Sequence, residues 1–158
     1  MKLSSQEEYG LRCLLQIAKL GEGGSLTIAE MSQREGISAP NVAKLMRILR
    51  RAGLVRSTRG KAGGYSLSRP SAQLPVGDVL GALGGRLFDA NFCDRHSGVE
   101  ERCLNTTDCS IRPVLRFVQD AVDQVLGQLT LQSLLRPEHE MAVAMGPRAV
   151  ALKLASRT

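Results

Sequence analysis

Apolar positions fall into three helical rhythms before residue 52, two alternating runs around a basic tip after it, and one long seam near residue 120. Leu11, Leu14, Leu15, Ile17 and Ala18 share one face of a first helix. Ser5-Gln6-Glu7-Glu8 has the spacing of a capping box that opens it, and Gly21-Glu22-Gly23-Gly24 closes it after about Leu20. A second capping box, Thr27-Ile28-Ala29-Glu30, predicts a short helix from Ile28 to Glu35, stopped by Gly36. Ser38 caps a third helix, about Ala39 to Ala52, with Pro40 tolerated in its first turn. Two helices joined by Gly36-Ile37-Ser38 make a helix-turn-helix.

On a helical wheel Val42, Leu45, Met46 and Leu49 of the third helix fall on one side. Pro40, Lys44, Arg47 and Arg51 fall on the other, with Asn41 near the N-terminal end. The apolar side packs inward, leaving a cationic side shaped for a major groove. The following segment, Gly53 to Leu67, reads as a hairpin whose tip is Arg59-Gly60-Lys61-Ala62-Gly63. No Asp or Glu occurs between Glu35 and Asp78. A charged helix face standing alone is usually just solvated; the turn before this one and the basic hairpin after it favour DNA. Ser38, Asn41, Lys44, Arg47 and Arg51 on the helix and Arg59, Lys61 and Gly63 on the hairpin are the candidate DNA contacts. The expected fold is mainly α with a small β-hairpin wing: a winged helix-turn-helix plus a long dimerisation helix.

Pro75-Val76-Gly77-Asp78 starts a short helix that reaches about Leu83 and ends at Gly84-Gly85. Residues 86–109 are polar, with little periodicity and three cysteines. A helix from about Ser110 to Leu129 carries Ile111, Leu115, Val118, Val122, Val125 and Leu129 in a heptad seam, which predicts a partner helix and a two-fold dimer. The organisation expected is a DNA-binding domain over 1–83, a cysteine-bearing loop over 84–109, and the dimerisation helix with its following turn over 110–136. A mobile tail over 137–158 completes it, with a brief helical turn around Val150 to Leu154.

Charge supports this division. The chain of 158 residues has net charge +6, yet residues 1–70 hold twelve Lys/Arg against five Asp/Glu, and residues 71–158 nine against ten. The basic charge thus sits with the candidate DNA-binding half. Aromatics are 3% with no Trp, too few for the stacking platforms of single-strand readers. The start, Met1 to Glu8, is too polar for a secretory signal, and no run approaches a membrane span, so a cytoplasmic protein is expected. No nucleophile–base pair, phosphate loop or convergent carboxylates point to an enzyme.

In a reducing compartment cysteines serve as metal ligands or reactive thiols more often than as disulfides. Cys93, Cys103 and Cys109 lie in one polar loop and are soft ligands for an iron–sulfur cluster or zinc. His96, three residues after Cys93, is either a further ligand or a surface histidine. Asp108 is either a ligand or a cap for the long helix. Cys13, among Leu11, Leu14 and Leu15, reads as a buried inert thiol.

The run Gly-Leu-Val-x-Ser-x-Arg-Gly-x-x-Gly-Gly-Tyr from Gly53 to Tyr65, the start Met-Lys-Leu-Ser-x5-Gly-Leu-Arg, and a cysteine loop before a long helix resemble the IscR/NsrR-type family of winged-helix transcriptional regulators. The resemblance covers residues 1 to about 135. It implies a bacterial repressor, a homodimer on a palindromic double-stranded operator, and control of iron–sulfur assembly, redox or nitric-oxide stress genes. It also implies a cluster on Cys93, Cys103 and Cys109, the two-iron–two-sulfur form being preferred over the four-iron–four-sulfur form. The pattern departs at two points. The first gap spans nine residues where relatives have five, and Arg112 stands where some relatives have a histidine ligand. The fourth ligand is then either Glu8 of the partner subunit or His96, although Glu8 also completes the capping box with Ser5. A thiol-redox switch or a zinc site in place of a cluster is the alternative. A winged helix acting as an adaptor without DNA is opposed by the basic run from Lys44 to Arg69.

Overall fold

The computed structural model describes residues 4–58, 60, 63–100, 103–105 and 107–146. Helices α1 (Ser5–Ala18), α2 (Ile28–Glu35) and α3 (Ala39–Arg51) precede an antiparallel hairpin of β1 (Val55–Thr58) and β2 (Gly64–Leu67). Then come a 3-10 turn (Ser71–Gln73), α4 (Val76–Gly84), α5 (Phe92–Arg95), α6 (Ile111–Leu126), a second 3-10 turn (Ser133–Leu135) and α7 (Glu138–Ala144).

The three-helix core forms where the apolar pattern places it. Cys13, Leu14 and Ile17 of α1 meet Met31 of α2 and Val42, Leu45, Met46 and Leu49 of α3, all at 0–1% exposure. Each such aliphatic side chain contributes about 1.5–3 kcal/mol of burial. Gly36 ends α2 in the left-handed region at φ 65°, which glycine adopts without steric cost. Gly10 lets α1 and α4 close together: a Cβ there would stand 2.4 Å from Leu83 Cδ1.

The hairpin pairs Val55 with Leu67 and Thr58 with Gly64. Leu26 adds a bridge to its outer edge, exchanging backbone hydrogen bonds with Tyr65 at 3.0 and 2.8 Å. This fastens β2 of the wing to the turn before α2. After α6 the chain returns to the same domain. Val76 N donates to Leu129 O at 2.9 Å and Leu131 N to Leu74 O at 2.8 Å, and Leu131 is fully buried in the core.

Four features depart from the sequence reading. The capping box of α1 lies one residue earlier: Ser4 is the N-cap, and the Glu7 carboxylate accepts from the Ser4 N–H at 2.7 Å and its hydroxyl at 2.9 Å. Glu8 is therefore not part of the cap. The long helix stops at Leu126, with Gly127 at its C-cap, so Leu129 lies in the turn beyond it. Within the cysteine loop Phe92–Arg95 forms a helical turn, held by Asp89, which accepts from Asn91 N and Arg95 Nη2, each at 2.9 Å. Finally, Glu138–Ala144 is helical where a mobile tail is expected. Pro137 presets the entering backbone, and Glu138 and Glu140 place negative charge on the first turn. The turn expected at Val150 to Leu154 lies outside the described residues.

Candidate nucleic-acid interface and cysteine loop

The exposed side of α3 carries Lys44, Arg47 and Arg51, and Ser38 at its N-cap is exposed as well, with Asn41 half-buried behind it. The opposite side of α3 is locked by its four buried apolar residues, so the cations cannot rotate inward. Among the described residues none of Lys44, Arg47 and Arg51 is in an ion pair. The Ser38 hydroxyl makes no cap hydrogen bond either, which leaves it facing outward. Arg50, one residue off this face, instead donates to Ser57 Oγ of β1 at 3.2 Å and ties the helix to the wing. At the wing tip Gly63 N donates to Gly60 O at 2.8 Å. Arg59 and Lys61 lie outside the described residues.

The helix-turn-helix is braced from α1. Arg12 donates to Glu35 Oε2 at 2.6 Å and to Glu35 O at 2.7 Å, with Gln16 donating to the second carboxylate oxygen. Glu8 sits 3.5 Å from the same guanidinium with its side chain 64% exposed. The paired carboxylates hold the Arg12 guanidinium above its ordinary pKa, the Glu35 hydrogen bond contributing most. Burial, with Glu35 nearby, pushes the Cys13 thiol up to about 11, as an inert core thiol requires.

Cys93, Cys103 and Cys109 are all free and half-exposed. Among the described residues no three His, Cys, Asp or Glu side chains converge as a metal site. His96 is exposed and stacks on this loop's aromatic cluster. Its Nδ1 is 2.8 Å from Phe92 O and its ring stacks on Phe92 at 4.2 Å, with Phe88 packed against Phe92 at 5.1 Å. Asp108 is exposed and does not cap α6, whose N-cap is Ser110. Arg112 donates to Asn105 O at 3.3 Å, joining α6 back to the loop.

Both sides of the exit from helix α4 are clamped. Gln6 Nε2 donates to Leu83 O, and the Glu7 carboxylate lies against Gly84 so closely that a Cβ there would stand 2.2 Å from Oε1. From the other side Gln119, only 6% exposed on α6, accepts from Phe88 N at 3.0 Å and donates to Asp123 Oδ1 at 2.8 Å. Asp123 in turn pairs with Arg86. Lys44 reaches the same place: it shares a cleft of about 530 Å³ with Glu7, Gly84 and Arg86. Sequence reasoning missed Glu7 and Gln119. The only available signal for Gln119 was a polar residue beside an otherwise apolar stretch of seam.

The seam is uncovered in its N-terminal half. Ile111 is 64%, Val114 60%, Phe117 56% and Val118 41% exposed, while Leu115, Val122, Val125 and Leu129 are half-buried. Val114 and Phe117 widen the stripe beyond the heptad positions. No helix among the described residues is long and apolar enough to cross a membrane.

Known proteins with this arrangement regulate transcription. The profile of the Rrf2 family, described as an iron-dependent transcriptional regulator, matches residues 3–137. The chain is 36% identical over 136 residues to protein rrf2 of Nitratidesulfovibrio vulgaris, covering 86% of this chain and 88% of that one. It is 31% identical over 144 residues to the regulator IscR of Cronobacter sakazakii, covering 91% and 86%. Among solved structures, CymR, the global cysteine regulator of B. subtilis, superposes with a TM-score of 0.66 at 30% identity over 85% of this chain and 96% of its own. IscR of T. potens does so with a TM-score of 0.64 at 29% identity, covering 85% and 86%. With a winged-helix fold, a cationic α3 and a family match over nearly its whole described length, the chain belongs to the Rrf2 family of transcriptional regulators, a family of DNA-binding proteins and not of enzymes.

Proposed function

We propose that this protein is a homodimeric repressor whose cysteine loop holds an iron–sulfur cluster and, through it, sets affinity for a palindromic operator. The observation that carries the proposal is the clamp on the loop's first residues. Gln6 and Glu7 of α1, Gln119 of α6 and the cleft shared with Lys44 all meet over residues 83–88. A change in the loop is thereby delivered to α1, to the proposed dimer helix and to the α3 face together. Two half-sites must stay in register on the duplex, so a small relative rotation of the α3 helices weakens binding strongly.

The donor chemistry fits a cluster: three free, half-exposed thiols on one loop are soft ligands for iron. Cys93, Cys103 and Cys109 would hold it, and the cluster would supply a redox- and nitric-oxide-sensitive centre. For the fourth position Glu8 is favoured over His96. Glu8 is freed from the cap and, among the described residues, is bound by one exposed ion pair to Arg12, whereas His96 is already engaged with the Phe92 carbonyl and ring. If Glu8 leaves Arg12, the guanidinium keeps only Glu35, at the start of the helix-turn-helix turn. Ser38, Asn41, Lys44, Arg47 and Arg51 would contact the operator, with Arg59, Lys61 and Gly63 at the wing, and Ile111, Leu115, Val118, Val122 and Val125 would pair across the dimer.

A second reading keeps the DNA binding and makes the loop a thiol switch. It rests on the three free, half-exposed loop thiols, which an oxidant can reach. Protein purified without air, with iron and sulfide counted per chain and its operator affinity measured before and after oxidation, separates the two. Stoichiometric sulfide with affinity that changes on cluster loss supports the cluster. Zinc without sulfide, or a reversible Cys93–Cys103 or Cys103–Cys109 disulfide in metal-free protein, overturns it.

A further inference from the structure

A cavity of about 490 Å³ lies on the side of the domain between the α1–α2 turn, the base of the wing and the segment that returns after α6. It is within the usual volume of small-ligand sites. Its polar walls are Glu22, Arg56, Ser68, Arg69, Ser71 and Gln132. The two serine hydroxyls are already spent, Ser68 donating to Leu54 O at 3.1 Å and Ser71 to Gln132 Oε1 at 2.5 Å. That second bond fixes the Gln132 amide and leaves its NH₂ as a donor. Arg56 gives only its Nε to Ser66 Oγ, at 3.3 Å, and keeps its two terminal nitrogens; Arg69 is held at 3.4 Å by Asp78. Glu22 is exposed on the opposing turn and makes no ion pair among the described residues.

We infer that this cavity is an effector site for an amino acid, with a dicarboxylic amino acid as the best fit. Two guanidinium groups on the wing side take carboxylates through charge-assisted hydrogen bonds, which suit their forked donors. The Glu22 carboxylate takes the ammonium. Within the lining two cations face one anion, Asp78 lying outside it and holding Arg69 only through an exposed pair at 3.4 Å that a ligand carboxylate would displace, which complements a ligand with two carboxylates and one ammonium. The same Glu22 repels a phosphate backbone, which separates this wall from the α3 face, where Lys44, Arg47 and Arg51 stand exposed and in no ion pair among the described residues. The ligand would join Arg56 of β1 to Gln132 beyond α6, and so brace the wing base against the segment that leads out of the proposed dimer helix. The inference does not depend on what the cysteine loop binds.

The test is calorimetric titration of the full chain with L-aspartate and with succinate, which has the same two carboxylates and no ammonium. L-aspartate should bind about tenfold more tightly than succinate, the worth of one charge-assisted contact. Glu22→Gln should abolish that preference while leaving succinate binding in place, and Arg56→Gln should weaken both ligands. Glu22 and Arg56 are exposed, so circular dichroism should show folded variants. Equal affinity for the two ligands, no binding of either, or an Arg56→Gln variant that binds as the parent does would overturn the site. A variant set that leaves aspartate without effect but lowers affinity for all DNA would assign these arginines to phosphates instead, and would also overturn it.

Discussion

Gln119 of α6 holds the Phe88 N–H in its side-chain oxygen at 3.0 Å while its amide donates to Asp123. The residue is buried, so its loss strands polar groups away from water. Gln119→Leu should lower unfolding stability by about 1–3 kcal/mol, the cost of an unsatisfied buried donor. Hydrogen exchange should quicken at Phe88 more than at core amides of α3. Unchanged protection at Phe88 would show that the loop is not fastened by this contact.

How much of the fold is legible in the sequence depends on the range of the forces involved. The α3 face is legible because Val42, Leu45, Met46 and Leu49 obey a local period, and the wing because its glycines and alternation are local too. The cap of α1 falls one residue from its expected place because Ser4 and Ser5 offer the same chemistry with Glu7 and Glu8 at the same spacing. Only the packing of Glu7 against Gly84, far along the chain, distinguishes them. Likewise the Phe88–Phe92–His96 stack is spaced by fours, yet it is hidden in a stretch whose composition is polar. Leu131 reads as part of a separate dimer unit; its burial depends on pairing with Leu74 across the domain.

Cys13 should be the slow thiol of the four. With its pKa raised to about 11 by burial, it holds about a thousandth of its population as thiolate at pH 8. Mass-spectrometric mapping after brief alkylation of metal-free protein should find Cys93, Cys103 and Cys109 modified and Cys13 intact until denaturant is added. Early labelling of Cys13 would contradict a closed core around α1.

The second capping box has a pH signature. Hydrogen bonds from the Thr27 N–H and hydroxyl hold the Glu30 carboxyl below its usual range. A depressed folded pKa contributes stability that is present above the unfolded value, about 4.3, and is lost as pH falls through the folded value. Thr27→Ala should therefore lower the melting temperature at neutral pH and flatten its decline on acidification. Parallel acid limbs for the two proteins would refute the linkage.

The α3 cations predict a salt dependence. Removing one cation that pairs with a phosphate should reduce the slope of log affinity against log salt by about one. Lys44→Ala and Arg51→Ala should each do so on operator and on unrelated DNA, while Asn41→Ala should weaken the operator selectively. Lys44 also lines the cleft at the loop's start, so its substitution should additionally shrink the difference in affinity between the loaded and stripped protein. Slopes unchanged in both charge variants would move the DNA surface off α3.

The uncovered stripe of α6 predicts the assembly state. In one chain Phe117 and Val118 are 56% and 41% exposed, so charge placed there costs the isolated fold little. Across a two-fold axis Val118→Asp would bury like charges against each other, where neither finds a partner, and Phe117→Ser would remove apolar contact. Val118→Asp combined with Phe117→Ser should therefore give a monomer by sedimentation at micromolar concentration, with near-native helical content. Operator affinity should fall steeply, since each half-site is then bound without the other. Affinity for a single half-site should stay close to that of the parent, because α3 and the wing are untouched. A double variant that remains dimeric would place the interface on another surface, and one that loses its helical content would show that the stripe is covered within the chain.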